Sequence, residues 1–222
     1  NLLTTNTSCN SSCDGTASVT PSGGTAPYDY LWSNGSTSSS ASGLCAGPAS
    51  VIITDHNGCS KTINFDIVSP NTLLLATSFT DALCYASCDG TATAIVSDGT
   101  APYNYIWDDG LSQTTPTATG LCSGNYNVVD TANNGCTANA SVFIDEPYLI
   151  SPNEVVTDAT CGANDGSAIL TPTGGTAGDA DVWSNGPTTP NVGCLSAGTY
   201  TVDITDANNC TQSFPIAISN VN

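Results

Sequence analysis

The chain of 222 residues carries 19 acidic side chains against one lysine, Lys61, one histidine, His56, and no arginine, for a formal net charge of -18. So few cations cannot neutralise a phosphate backbone, which excludes nucleic acid and anionic membrane surfaces as partners and leaves phosphoryl transfer without its usual parts. The longest apolar runs, such as residues 73–76 and 51–53, fall far short of the roughly 20 residues of a membrane-spanning helix, so no membrane insertion is expected.

In chain order, Cys9 and Cys13 stand before an Asp14-Gly15 turn. Ala17 and Val19 then alternate with polar residues, the period-two pattern of a half-buried strand. Turns at residues 22–24 and at Asn34-Gly35 flank Tyr28, Tyr30 and Trp32, which share one strand face. Val51 and Ile53 mark the next strand, and after Cys59 come Ile63, Phe65 and Ile67, again at alternate positions. The series then starts over. Cys84, Cys88, Asp89 and Gly90 lead into Ala92 and Ala94, followed by Tyr103, Tyr105 and Trp107, Tyr126 and Val128, and, after Cys136, Ala140, Val142 and Ile144. A third pass opens at Cys161, Asp165 and Gly166 and runs through Ala168 and Leu170, Trp183, Tyr200, Val202 and Ile204. It ends, after Cys210, on Phe214, Ile216 and Ile218. Helical spacing is absent.

The chain is therefore three copies of one unit. We expect an all-β protein of three tandem immunoglobulin-like β-sandwich domains, residues 1–70, 71–147 and a divergent 148–222, divided at Pro70 and Pro147. The short linkers suggest a fairly stiff string. Domains of about 75 residues have small cores and commonly rely on crosslinks. The 11 cysteines supply them and point to an oxidising, extracellular setting. Any targeting segment is expected to have been removed or to lie outside this sequence.

The third copy keeps counterparts of the first and fourth cysteines but lacks those of the second and third, with no Cys at Asp165 or Ser196. Joint loss suggests joint pairing. The expected disulfides are Cys9–Cys59, Cys13–Cys45, Cys84–Cys136, Cys88–Cys122 and Cys161–Cys210, with Cys194 left over, either buried and inert or free for an intermolecular bond. Four-cysteine zinc sites lack the paired short spacings they require.

No catalytic constellation recurs across the copies. His56 is matched by Asn133 and Ala207, and Lys61 by Ala138 and Gln212, so neither general-base nor Schiff-base chemistry has a shared residue. The carboxylate pairs Asp108/Asp109, Asp179/Asp181 and Asp203/Asp206 occur once each and read as turn caps and solvated surface. The expectation is a non-enzyme without cofactors. The recurring acids Asp14, Asp89 and Asp165 are the candidates for a structural calcium ion, although no Asp-x-[Asp/Asn]-x-[Asp/Asn]-Gly loop is present and an Asp-Gly turn explains them equally well. The tyrosine and tryptophan strips could form a sugar platform, but their one-sided alternation favours the core. Sequons occur at Asn6, Asn10, Asn34, Asn139 and Asn209.

The motifs Cys-x3-Cys-Asp-Gly-Thr-Ala, Gly-Gly-Thr-Ala-Pro-Tyr-x-Tyr-x-Trp-Ser-Asn-Gly (from Gly23 to Gly35), Gly-Leu-Cys-Ala-Gly (Gly43 to Gly47) and Thr-Asp-x-Asn-Gly-Cys (Thr54 to Cys59) together resemble the SprB repeat of giant surface adhesins in gliding Bacteroidetes. Ala49 departs from the pattern where Tyr126 and Tyr200 stand, and the third copy is the most divergent. The resemblance implies an exported cell-surface protein, carried by type IX secretion and acting in adhesion or gliding. It also makes Thr131, in Asp130-Thr131-Ala132, a possible O-glycosylation site. The expected function is a structural or adhesive segment of a cell-surface adhesin or appendage. The alternatives are a filament subunit, joined by strand addition or an intermolecular disulfide, and a carbohydrate-binding module. The expected partners are other copies of the chain, further repeats, and external surfaces or glycans.

Overall fold

The computed structural model describes residues 1–221, and among them twenty strands and no helix. The first repeat contributes β1 (Leu2–Thr5), β2 (Gly15–Val19), β3 (Tyr28–Trp32), β4 (Ser40–Leu44), β5 (Gly47–Asp55) and β6 (Ser60–Ile67). The second contributes β7 (Leu74–Thr80), β8 (Gly90–Ser97), β9 (Tyr103–Trp107), β10 (Thr117–Leu121), β11 (Gly124–Ala132) and β12 (Thr137–Ile144). The third contributes β13 (Val155–Thr157), β14 (Ala159–Thr160), β15 (Gly166–Ile169), β16 (Ala180–Trp183), β17 (Asn191–Leu195), β18 (Gly198–Thr205), β19 (Thr211–Ile218) and β20 (Asn220–Val221). Each repeat builds two three-stranded sheets of the same order: β1-β2-β4 and β3-β5-β6, then β7-β8-β10 and β9-β11-β12, then β13-β15-β17 and β16-β18-β19. The architecture is an all-β, immunoglobulin-like sandwich repeated along the chain.

By packing, the chain forms two compact units. One comprises Asn1–Thr77, Ala94–Pro116 and Asn127–Ala140; the other comprises Ser78–Thr93, Thr117–Tyr126 and the chain from Ser141 onward. In the first unit, the sheets of the first repeat close on Ala17, Val19, Ala41 and Leu44 from one side and Trp32, Val51 and Ile67 from the other. In the second unit, Ala168, Leu170, Val192 and Leu195 meet Trp183, Val202, Ile204, Ile216 and Ile218. Outside β4 and β17 these are the alternating apolar positions of the strands, and burying them supplies the main favourable term. Trp32, Trp107 and Trp183 are all buried. Each indole N–H is satisfied by a backbone carbonyl, that of Ser38 at 2.8 Å, Thr115 at 3.0 Å or Thr189 at 3.0 Å, which removes the cost of hiding a polar group. The half-buried Tyr28 and Tyr103 donate to Gly23 and Asp98 carbonyls in the adjoining turns, so these aromatics hold loops and core.

The strand that follows the Asp-Gly turn begins on a glycine for steric reasons. A Cβ on Gly15, Gly90 or Gly166 would lie 2.7–2.9 Å from an isoleucine methyl (Ile67, Ile144, Ile218) and 2.8–2.9 Å from a leucine carbonyl (Leu44, Leu121, Leu195). The register of this strand with its neighbour then shifts at a bulge, between Gly15/Ala17, Thr119/Leu121 and Gly166/Ala168. Gly43 and Gly120 hold the left-handed backbone there, with φ of 73° and 72°. In the third repeat that position is Cys194, with φ 58°, and its thiol is exposed, not buried in the sandwich.

The disulfides correct one expectation. Cys13–Cys45 and Cys88–Cys122 close within a repeat, but Cys9–Cys59, Cys84–Cys136 and Cys161–Cys210 do not form. Cys9 bonds instead to Cys136, and Cys84 to Cys210, leaving Cys59, Cys161 and Cys194 free and exposed. The reason is the length of a strand. Cys59 immediately precedes β6, while Thr7, two residues before Cys9, donates to the Val68 carbonyl just beyond the far end of β6. Eight residues of strand span roughly 26 Å, and a disulfide needs Cα atoms within about 7 Å. In the third repeat β19 separates Cys210 from Ser219, whose carbonyl accepts from Ala159 N, two residues before Cys161. First and last cysteines thus sit at opposite poles of a repeat, and Cys9 and Cys84 each bond to the last cysteine of the following repeat.

Candidate functional site: the repeat poles

The loop bearing the last cysteine is built around the Thr-Asp-x-Asn-x-Cys motif. Asp55 Oδ1 accepts from the N–H groups of Asn57 (3.0 Å) and Cys59 (2.9 Å), and Oδ2 from that of Thr25 (3.0 Å). Asp206 repeats this with Asn208 (2.9 Å), Cys210 (2.8 Å) and Thr176 (2.8 Å). These donors stabilise the carboxylate. The Thr25 N–H, followed by that of Cys59, holds Asp55 below its ordinary range. At Asp206 burial pushes the carboxyl up, but the Thr176, Cys210 and Asn208 N–H groups outweigh it. In the second repeat Ala132 takes this position and joins Leu73 and Cys136 in a small buried cluster, with Cys9, Val96, Tyr103 and Ala138 packed against it.

The loop bearing the first cysteine is tied down by the recurring aspartate. Asp14 Oδ1 accepts from Ser8 N at 2.9 Å and Ser12 Oγ at 2.7 Å, Asp89 from Leu83 N at 3.0 Å and Ser87 Oγ at 2.7 Å, and Asp165 from Thr160 N at 2.8 Å and Thr160 Oγ1 at 2.6 Å. Hydrogen bonding from Ser8 and Ser12 holds Asp14 down at about 2. Asp89, through Ser87 and Leu83, and Asp165, through Thr160, are also lowered. Among the described residues no group of three or more His, Cys, Asp or Glu side chains is arranged to hold a metal ion.

The two loops meet in a clasp, and each unit contains one. In the first unit the Cys9–Cys136 bond is accompanied by Asn134 Nδ2 donating to the Ser8 carbonyl at 2.8 Å. In the second, the Cys84–Cys210 bond is accompanied by Asn208 Nδ2 donating to the Leu83 carbonyl at 3.1 Å and to Thr176 Oγ1 at 2.9 Å. A pocket of about 240 Å³ beside this second clasp is lined by Cys84, Tyr85, Ile150, Asp206, Cys210 and Gln212. The asparagine two residues before each last cysteine went unnoticed as a functional residue; its recurrence at Asn57, Asn134 and Asn208 is the signal that marks it.

The remaining singled-out residues are dispersed. His56 is exposed on the Cys59 loop, and Lys61 is exposed at the start of β6. Thr131 is half-buried on β11, opposite Asn104. Asp108 accepts from Asn127 N at 2.7 Å, and Asp109 caps Gln113 N at 3.0 Å. Asp203 accepts from Ser213 Oγ. Among the described residues both buried oxygens of Asp130 and Oδ1 of Asp181 have no hydrogen-bond partner; burial pushes both carboxyls up, at Asp130 against a weaker opposing pull from the Thr131 and Asn104 N–H groups.

These poles and sandwiches define a class of protein, a tandem β-sandwich repeat whose most elaborate polar chemistry joins one repeat to the next. The family model described as SprB repeat matches residues 2–37 and 76–112, so the resemblance read from the sequence is shown for the opening halves of the first two repeats. No curated protein matches the chain. Among solved structures, the three N-terminal domains of the highly immunogenic outer capsid protein (Hoc) of bacteriophage RB49 are similar at 14% identity with a TM-score of 0.46, over 100% of this chain and 98% of that one. The eight N-terminal Ig domains of Down syndrome cell adhesion molecule are similar at 13% identity with a TM-score of 0.42, over 87% of this chain and 33% of that one.

Proposed function

We propose that the chain is a non-enzymatic repeat segment of an exported cell-surface adhesin or appendage, working by reach and surface contact. The observation that carries this reading is the use of the recurring polar residues. Asp14, Asp89, Asp165, Asp55, Asp206, Asn134 and Asn208 all bond to loop backbone or to the neighbouring repeat, and the SprB match supports a surface role. The net charge of -18 suits a solvated, self-repelling surface polymer. Four disulfides suit an oxidising exterior.

Antibodies against the chain are expected to label intact, unpermeabilised producing cells, and beads coated with those antibodies should bind such cells. Labelling seen only after permeabilisation would overturn the reading.

A further inference from the structure

Each clasp unites a last-cysteine loop with the first-cysteine loop of the preceding repeat, as in Cys9–Cys136 and Cys84–Cys210. Two half-clasps are unpaired among the described residues. Cys59 is a last cysteine bonded to no first-cysteine loop, Cys161 is a first cysteine bonded to no last-cysteine loop, and both are exposed.

The Cys59 half is set as in the closed clasp of the second unit. Asp55 caps its loop as Asp206 does, and Asn57 Nδ2 donates to Thr25 Oγ1 at 3.0 Å as Asn208 Nδ2 donates to Thr176 Oγ1 at 2.9 Å. In the closed clasp the same Asn208 amide also reaches the Leu83 carbonyl. Beside Cys59 a pocket of about 370 Å³ is lined by Gly24, Asp55, Cys59, Lys61, Ile53 and Ile63. Gly24, Asp55, Cys59 and Lys61 correspond to Gly175, Asp206, Cys210 and Gln212, which line the pocket that Cys84 and Tyr85 of the preceding repeat help to wall.

The Cys161 half shares the frame of its counterparts. Thr160 N donates to Asp165 as Ser8 N does to Asp14 and Leu83 N to Asp89. Ala159 N donates to the Ser219 carbonyl as Thr7 N does to Val68 and Ala82 N to Asp145. The turn beyond is one residue shorter, and the Thr160 carbonyl accepts from Ala163 N at 2.7 Å, which leaves its second lone pair for an asparagine amide.

Charge separates the open half-clasp from the closed ones. His56 and Lys61, the only basic side chains in the sequence, both flank Cys59, whereas the corresponding residues in the closed clasps are the neutral Asn133 and Ala138, and Ala207 and Gln212. Asp158 and Asp165 stand on the Cys161 side. Lys61 thus gives the Cys59 side, beside its Asp55, a cation that neither closed clasp has, and a cation facing carboxylates steers encounter and helps fix which surface meets which.

We propose that Cys59 of one copy and Cys161 of a second copy form a disulfide clasp of the same design as Cys9–Cys136 and Cys84–Cys210, joining copies head to tail. The two surfaces differ, so each linked product still presents one free Cys59 and one free Cys161, and growth is open-ended. The two thiols give up two protons and two electrons. A low-molecular-weight disulfide, such as oxidised glutathione, takes the electrons and leaves as two thiols. This inference concerns assembly and does not depend on the surface-repeat reading.

Purified chain is incubated with oxidised glutathione and run on non-reducing gels. Wild type and Cys194→Ser are expected to give a ladder that collapses under reductant. Cys59→Ser alone and Cys161→Ser alone are expected to stay monomeric, whereas mixing the two restores linkage but stops at the dimer. Lys61→Glu should slow the ladder, and added salt should slow wild type. Because all three cysteines are exposed, their substitution spares the cores, and unchanged melting curves verify this. Three outcomes each overturn the proposal: a wild type that only gains mobility as an internally linked monomer, a ladder that survives Cys59→Ser or Cys161→Ser, and a ladder lost in Cys194→Ser.

Discussion

Asp130 offers the sharpest test of the packing described above. It lies on β11 opposite Tyr105, is 0% exposed, and has no hydrogen-bond partner on either oxygen. The same position is Ile53 in the first repeat, opposite Tyr30, and Ile204 in the third, opposite Asp181. A buried polar group left unpartnered costs about 1–3 kcal/mol, more when charged. Asp130→Ile removes that cost and adds apolar burial, so a gain of about 2 kcal/mol at neutral pH is expected. For a chain of this size that raises the melting temperature by roughly 4–8 °C. Asp130→Asn removes the charge but keeps a buried polar group and should recover only part of the gain. Burial raises the folded-state pKa of Asp130, so the folded protein holds this proton more tightly than the unfolded chain. The penalty is therefore full above the raised value and fades as pH falls towards the ordinary carboxylate range. The advantage of Asp130→Ile should be largest at pH 7 and shrink by pH 4. The lowered carboxyls of Asp14, Asp55, Asp89, Asp165 and Asp206 lose stability in acid in both proteins and cancel in the difference. Paired thermal or urea denaturation at several pH values makes the comparison. A variant no more stable than wild type, or an advantage that does not vary with pH, would refute the reasoning.

Three further outcomes are expected. Gly90→Ala forces a Cβ against Ile144 and the Leu121 carbonyl and should cost about 1–3 kcal/mol in urea denaturation; an unchanged midpoint would show that the strands can part there. Unreduced monomer treated with maleimide should gain three labels by mass spectrometry, at Cys59, Cys161 and Cys194, whereas a single label would restore pairing within repeats. The Asp14 carboxyl should titrate by carbon NMR with a midpoint of about 2, and its contribution to stability, present above the unfolded value, should be lost as pH falls through that midpoint; an ordinary midpoint would mean that the Ser8 and Ser12 bonds are not made in solution.

Much of the fold was legible because alternation and burial coincide where strands are regular. Val19, Trp32, Val51 and Ile67 recur as Ala94, Trp107, Val128 and Ile144 and as Leu170, Trp183, Val202 and Ile218, and all are buried. Strands β4, β10 and β17 were not legible, since a bulge between Ala41 and Leu44, and its equivalents, puts the two buried residues three apart and breaks the period of two. The internal Cys13–Cys45 bond spans a short loop and involves cysteines that the third repeat lacks together. The clasps are different in kind. Co-occurrence within a repeat cannot distinguish a bond inside one repeat from the same bond shifted by a repeat, and only the length of β6 and β19 decides. Asp130 was overlooked although the Val128, Asp130, Ala132 alternation places it on the buried face. Its appearance in a glycosylation-like triplet drew attention to Thr131 instead.

The clasps also govern how far the chain can be drawn out once its sandwiches give way. The loops closed by Cys9–Cys136 and Cys84–Cys210 overlap in sequence, with separations of 127 and 126 residues. Tension entering near residue 1 passes at Cys9 to Cys136, runs back to Cys122, crosses the Cys88–Cys122 bond to reach Cys84, crosses again to Cys210 and leaves near the last residue. At roughly 3.4 Å per extended residue, that path is about 150 Å, against about 750 Å for the uncrosslinked polypeptide. Under oxidising conditions a pulled molecule would thus yield only about a fifth of its contour, and reductant would release the remainder as hidden length.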